Sequence, residues 1–189
     1  MTWYDFWLFL HISFAVLWIG GGAMMQFFAL RALASDNAER LALFAQDVEW
    51  IASRFLTAFS LGAFLTGVGL VVNAEFWDFG DDWIVIGLVL FAVTFLAGAA
   101  FFGPEAGRIG KLAAAEGPTS PVVQARIRRL LVLTRIDLVV LFLIIFDMAV
   151  KPSFEDGWTI IGALVVAAVL AALLVLPAQR SAASARAST

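Results

Sequence analysis

Long runs without a charged residue constrain this chain more than any other feature. Residues 6–30 lie between Asp5 and Arg31, and residues 55–74 between Arg54 and Glu75. Residues 83–104 lie between Asp82 and Glu105, and residues 157–179 between Asp156 and Arg180. Each reaches the roughly twenty apolar residues that a helix needs to cross a ~30 Å hydrocarbon core. A fifth stretch, 130–150, is as apolar but carries Arg135, Asp137 and Asp147, and its charged flanks stand a bilayer thickness apart. The reading is an all-α, polytopic integral membrane bundle of five transmembrane helices. Spans fall at about 6–30, 55–76, 83–103, 129–150 and 157–178, forming one transmembrane helical domain over 1–178. Residues 179–189, small and polar, read as a disordered cytoplasmic tail.

Composition agrees. Hydrophobic residues make up 62% and charged residues 14%, against about 45–50% and about 25% in a soluble domain. The net charge of −3 leaves no basic patch for nucleic acid. Cysteine is absent, which excludes a disulfide framework and a thiolate metal site.

Basic residues set the orientation, because cytoplasmic loops of membrane proteins carry the excess of Lys and Arg. With the N-terminus outside, the inner side receives Arg31, Arg40, Arg54, Arg108, Lys111, Arg126, Arg128, Arg129, Arg180 and Arg186, with Arg135 near that face. The outer side keeps only Lys151, and Trp3, Trp7, Trp77, Trp83 and Trp158 fall at its interface. The expected topology is N-out, C-in. The first span lacks the basic leader of a signal peptide and follows Asp5, so it is expected to stay on the protein.

Residues 36–54 read as an amphipathic helix on the inner surface. Asp36 and Glu39 have capping-box spacing, and Leu41, Phe44, Val48, Ile51 and Phe55 recur at helical intervals. The helix is expected to continue into the second span. Residues 105–125, punctuated by Gly107, Gly110, Gly117, Pro118 and Pro121, read as the one sizeable inner loop. Helices in lipid associate through close packing of small residues. Candidates are Gly20-Gly21-Gly22, then Ala58, Gly62 and Thr66, then Ala99, Gly103 and Gly107, and finally Ala163, Ala167 and Ala171.

His11 is the only histidine. Its own helical face carries Trp7, Phe14 and Trp18, so three readings stand beside one another. The imidazole hydrogen-bonds a neighbouring helix, it ligates a haem iron between aromatic walls, or it relays protons. Asp147 and Asn73 fall at similar depth. Asp147 either orients the imidazole or pairs with Lys151 four residues on, and the second is favoured. Arg135 is expected to reach inward or to meet Glu49 or Glu105. Asp137 is expected to meet Arg31 or Arg54 in an interhelical ion pair, with a polar path through the bundle as the alternative. A copper site is set aside, since Met24 lies about 20 Å along the helix from His11. Zinc spacing, a phosphate loop, a Ser-His-Asp set and a row of voltage-sensing arginines are absent from the sequence.

The stretch Leu8-Phe9-Leu10-His11-Ile12-Ser13-Phe14-Ala15-Val16-Leu17-Trp18-Ile19-Gly20-Gly21-Gly22 resembles a first-span signature, Leu-His-x-x-x-Ala-x-x-Trp-x-Gly-Gly. That signature belongs to a domain-of-unknown-function family of small bacterial predicted integral membrane proteins. More distantly it is similar to the copper-resistance D family and to HemJ-type protoporphyrinogen oxidases, which are haem-associated helical bundles. The resemblance implies that His11 matches a first-span histidine and is a candidate haem ligand. The HemJ type carries further membrane histidines and a functional lysine, whereas here Lys111 and Lys151 lie outside span centres.

These observations lead to a non-catalytic protein of the bacterial inner membrane, an accessory or assembly subunit of a larger complex or a homo-oligomer. The alternatives are a haem-binding membrane protein, and a small transporter or ion-pathway protein.

Overall fold

The computed structural model describes residues 2–35 and 37–187, with side chains described as far as Val175. Every regular element among them is helical. The backbone amides and carbonyls of a membrane-spanning segment must be satisfied internally, and a helix does this within one segment.

The first helix, α1, runs Trp3–Ala34. It opens on a capping box: the Asp5 amide donates to Thr2 Oγ1 at 3.1 Å, and the Thr2 amide donates to Asp5 Oδ2 at 2.8 Å. The helix passes through Gly20-Gly21-Gly22 without a break. Gly21 faces the Leu56 side chain and Gly22 faces Leu141, while Gly20 faces open space. Two of the three glycines therefore admit leucines from neighbouring helices.

Helix α2 (Ala38–Ile51) continues through a π-helical turn, Ala52–Leu56, into α3 (Thr57–Val72). The amphipathic segment and the second span are thus one rod of 35 residues, about 52 Å long. Asn37 caps α2 by accepting from the Arg40 amide at 2.9 Å; Asp36, the expected cap, lies outside the described residues.

Helix α4 (Asp82–Leu96) likewise passes through a π-helical turn, Ala97–Phe102, into α5 (Gly103–Glu116). Pro104 has no N–H and its ring clashes with the preceding turn of an α-helix; the widened turn before it accommodates both, with Gly103 N–H bonding Gly98 O five residues back. The 105–125 loop is therefore corrected. Its residues are helical to Glu116, and α6 (Pro121–Val150) begins after Gly117, whose φ of 90° ends the preceding helix. Glycines at 107 and 110 break nothing, because Ile109 and Leu112 hold α5 against its neighbours. The last helix, α7, is Gly157–Ala187. Helix thus enters the stretch expected as a disordered tail from residue 179, and residues 188–189 lie outside the described ones.

Two apolar clusters hold the bundle. The central one joins Trp18 and Ile19 of α1, Ala63 of α3, and Leu141 and Ile144 of α6. A second gathers Ala29 and Ala32 of α1, Leu41 of α2, Ile109 of α5, and Val123, Ile127 and Leu131 of α6. It lies at the basic end and is sealed by Gln124, whose Nε2 donates to Ala38 O and Pro118 O, each at 2.9 Å.

Four helical segments among the described residues are long and apolar enough to cross a membrane: Trp3–Ala34, Ala38–Val72, Asp82–Glu116 and Gly157–Val175. Helix α6 has 30 residues, about 45 Å, and packs against α1, α4 and α7.

Candidate functional site

His11 sits on the seam between α1 and α3. Its Nδ1 lies 2.8 Å from the carbonyl oxygen of Ala63. A carbonyl only accepts, so Nδ1 carries the proton and Nε2 is the lone-pair nitrogen of the neutral ring. The imidazole rests on Gly67, where an added Cβ would lie 3.1 Å from its Cε1. Phe14 and Trp7 seat in two further notches: a Cβ at Gly62 would be 2.5 Å from the Phe14 ring, and one at Gly69 would be 2.7 Å from the Trp7 ring. Gly62, Gly67 and Gly69 of α3 are therefore a mould for the aromatic face of α1, and of the expected four-residue rhythm only Gly62 takes part in it, Ala58 being exposed. Trp18, two turns below His11, is buried against Phe91 of α4, edge-on at 5.6 Å.

This arrangement does not fit a haem between aromatic walls. Trp7 and Phe14, the side chains expected to form those walls, are pressed onto backbone of α3. Neither of the two described cavities is lined by His11.

The polar side chains of α6 find partners other than those expected. Asp137 Oδ1 accepts from the Thr94 hydroxyl of α4 at 2.6 Å. It meets neither Arg54 nor Arg31, since among the described residues the ion pairs are Arg108 and Arg126 with Glu105. Arg135, 6% exposed, donates from one terminal nitrogen to the carbonyl oxygen of Leu174 on α7 at 2.9 Å. It meets neither Glu49 nor Glu105. A guanidinium that reaches a main-chain carbonyl gains a partner without requiring a second buried charge.

Asp147 is 2% exposed, and neither carboxylate oxygen has a hydrogen-bond partner among the described residues. The expected pair with Lys151 does not form. Lys151 is the residue at which α6 ends, with a left-handed backbone (φ 52°, ψ 58°). Its ammonium lies over the rings of Trp77 and Trp83, at 4.3 and 5.1 Å from their centroids. With this change of backbone direction the Lys151 side chain lies over the indoles instead of along the helix face that carries Asp147.

Of the remaining candidates, Asn73 closes the end of α3 by donating to Gly69 O at 2.7 Å and does not join His11. Arg54 stacks over Trp50 at 5.3 Å. Arg31 closes the last turn of α1, a position that favours a cation at the negative end of the helix. Three participants went unnoticed in the sequence: the Gln26 and Thr134 pair (2.7 Å) between α1 and α6, and Gly87, which faces Asp147. Thr and Gly recur throughout these spans, and spacing along one helix does not reveal which of them meets a polar group on another.

A family model described as predicted integral membrane protein (DUF2269) matches residues 6–152, from the start of the first span to just past the end of α6. No curated protein and no solved structure matches the chain.

Proposed function

The chain belongs to the DUF2269 family of predicted integral membrane proteins, and from that premise we propose that it is a non-catalytic accessory subunit of a larger complex in the bacterial inner membrane. In this reading α6 is a fifth crossing, the N-terminus lies outside and the basic end lies in the cytoplasm. The length of α6 and its packing among α1, α4 and α7 support the fifth crossing. The distribution of Lys and Arg supports the orientation.

One observation carries the accessory role. Among the described residues α7 makes its main contact with α6, and the seam between them is open. A groove of about 340 Å³ remains there, lined by Val139, Phe142 and Phe146 of α6 and by Gly162, Ala163 and Val166 of α7. Lipid tails are as apolar as leucine, so helices in a bilayer are held by close packing. A helix with one gapped seam is poorly held, and small residues along that gap suit the close approach of a further helix.

The test is a photo-crosslinking residue at Val166 in living cells, with Val93 on the exposed face of α4 as the control. A discrete adduct to another membrane protein at Val166, absent at Val93 and lost when Gly162→Leu fills the groove, is expected. Adducts to lipid alone at both positions would overturn the reading, and an adduct to a second copy of this chain would replace it with a homo-oligomer.

A further inference from the structure

The seam between α4 and α6 holds a carboxylate that neither the packing nor the accessory role explains. Asp147 is fully enclosed, yet both its oxygens lack a partner among the described residues. It fits only because residue 87 is glycine: a Cβ there would lie 2.9 Å from Asp147 Oδ2 and 2.5 Å from the Met148 methyl. Burying an ionised carboxylate without a partner is among the most costly arrangements in a protein, and ionisable groups at membrane depth mark functional positions.

The surroundings are specific. One helical turn beyond Asp147, Lys151 holds its ammonium between two indoles rather than on the carboxylate. The indole N–H of Trp83, one turn before Gly87 on α4, is also buried without a partner. A polar cavity of about 300 Å³, lined by Trp77, Asp82, Trp83, Lys151 and Ser153, opens at this end of the seam. Other charged or titratable groups are engaged elsewhere or remote. Asp82, the only charged residue of α4, accepts from the Ser153 hydroxyl and the Phe154 amide. Asp81 accepts from the Asp78 amide, and Asp156 accepts from the Ser153 amide. On α1 the one titratable group within the span is His11, bonded to Ala63. Helix α7 carries no charge between Gly157 and Val175. On α6 itself, Asp137 and Arg135 lie about 15 and 18 Å further along, bonded to Thr94 and Leu174.

We propose that Asp147 is a proton-binding site, with Lys151 as its tethered counter-ion. When Asp147 carries the proton, one carboxyl oxygen holds an O–H bond, the site is neutral and the Lys151 ammonium rests on Trp77 and Trp83. On release, the proton leaves to water through the cavity at the Lys151 end, and the ammonium swings from the indoles onto the carboxylate. No other bond forms or breaks. The aromatic pair gives the cation a favourable resting place, which keeps the ammonium close without occupying the carboxylate.

Infrared spectroscopy of the full chain in lipid nanodiscs, titrated from acid to alkaline pH, tests this. The expected result is a protonated-carboxylic-acid band that titrates away, is lost in Asp147→Asn and survives in Asp137→Asn. Tryptophan emission should change over the same pH range in the wild type and not in Asp147→Asn. In Lys151→Met, which keeps the carboxylate and provides a second variant should Asp147→Asn fold poorly, the band should persist to more alkaline pH. A spectrum with no band that depends on Asp147 would overturn the proton site. A band whose midpoint is the same in Lys151→Met would overturn the role of Lys151.

Discussion

His11 Nδ1–H donates to the carbonyl oxygen of Ala63 across 2.8 Å, joining α1 to α3 at the point where both helices are otherwise aromatic and small. The carbonyl already serves the α3 helix and accepts from the Thr66 hydroxyl at 3.2 Å, so the imidazole adds a contact without relieving an orphan. That makes the bond an interhelical clamp of moderate value.

His11→Ala should therefore cost about 0.5–2 kcal/mol, the range of interhelical hydrogen bonds in membranes. Unfolding in detergent measures it. Visible spectra of the purified wild type and variant should be alike. A Soret band in the wild type that vanishes in the variant would instead make His11 an iron ligand.

Small residues on α3 give a sharper test of the same seam. Gly62→Ala places a methyl 2.5 Å from the Phe14 ring and should destabilise by about 1–3 kcal/mol, as overpacking does. Gly20→Ala meets nothing within 4 Å and should be neutral or stabilising by up to about 1 kcal/mol through helix propensity. Equal melting behaviour of the two variants would refute the moulded seam.

Asp137 and Thr94 should couple. A double-mutant cycle with Asp137→Asn and Thr94→Val is expected to return about 0.5–2 kcal/mol. Cycles pairing Asp137 with Arg54→Gln or Arg31→Gln should return nothing measurable, since neither arginine reaches it. Coupling to an arginine and not to Thr94 would restore the interhelical ion pair.

The topology can be read with a reporter active only in the cytoplasm. Fused after Arg180 it should be active, and inserted between Asp78 and Asp82 it should be silent. The reverse pattern would invert the molecule, and silence at both positions would remove α6 from the count of crossings.

Charge-free runs made the helices legible from residues alone. The reason is physical: in hydrocarbon each segment must satisfy its own backbone, so length and apolarity are enough to define a span. The continuity of α2 with α3 was equally readable, because helical spacing runs from Leu41 to Phe55 with no proline or glycine at the junction. The π-helical turn there nevertheless shifts the phase and leaves Phe55 exposed.

Tertiary structure alone decided which polar groups meet and where a glycine is a breaker. The residues from 105 to 116 carry loop-like glycines, yet Ile109 and Leu112 find an apolar cluster on α1, α2 and α6 that stabilises the helix against them. Arg135, Asp137 and Asp147 are recognisable as costly groups by position on α6. Their partners, a main-chain carbonyl on α7, a threonine on α4 and no side chain at all, depend on the order and depth of neighbouring helices. Sequence periodicity defines a helix face; only packing supplies what that face touches.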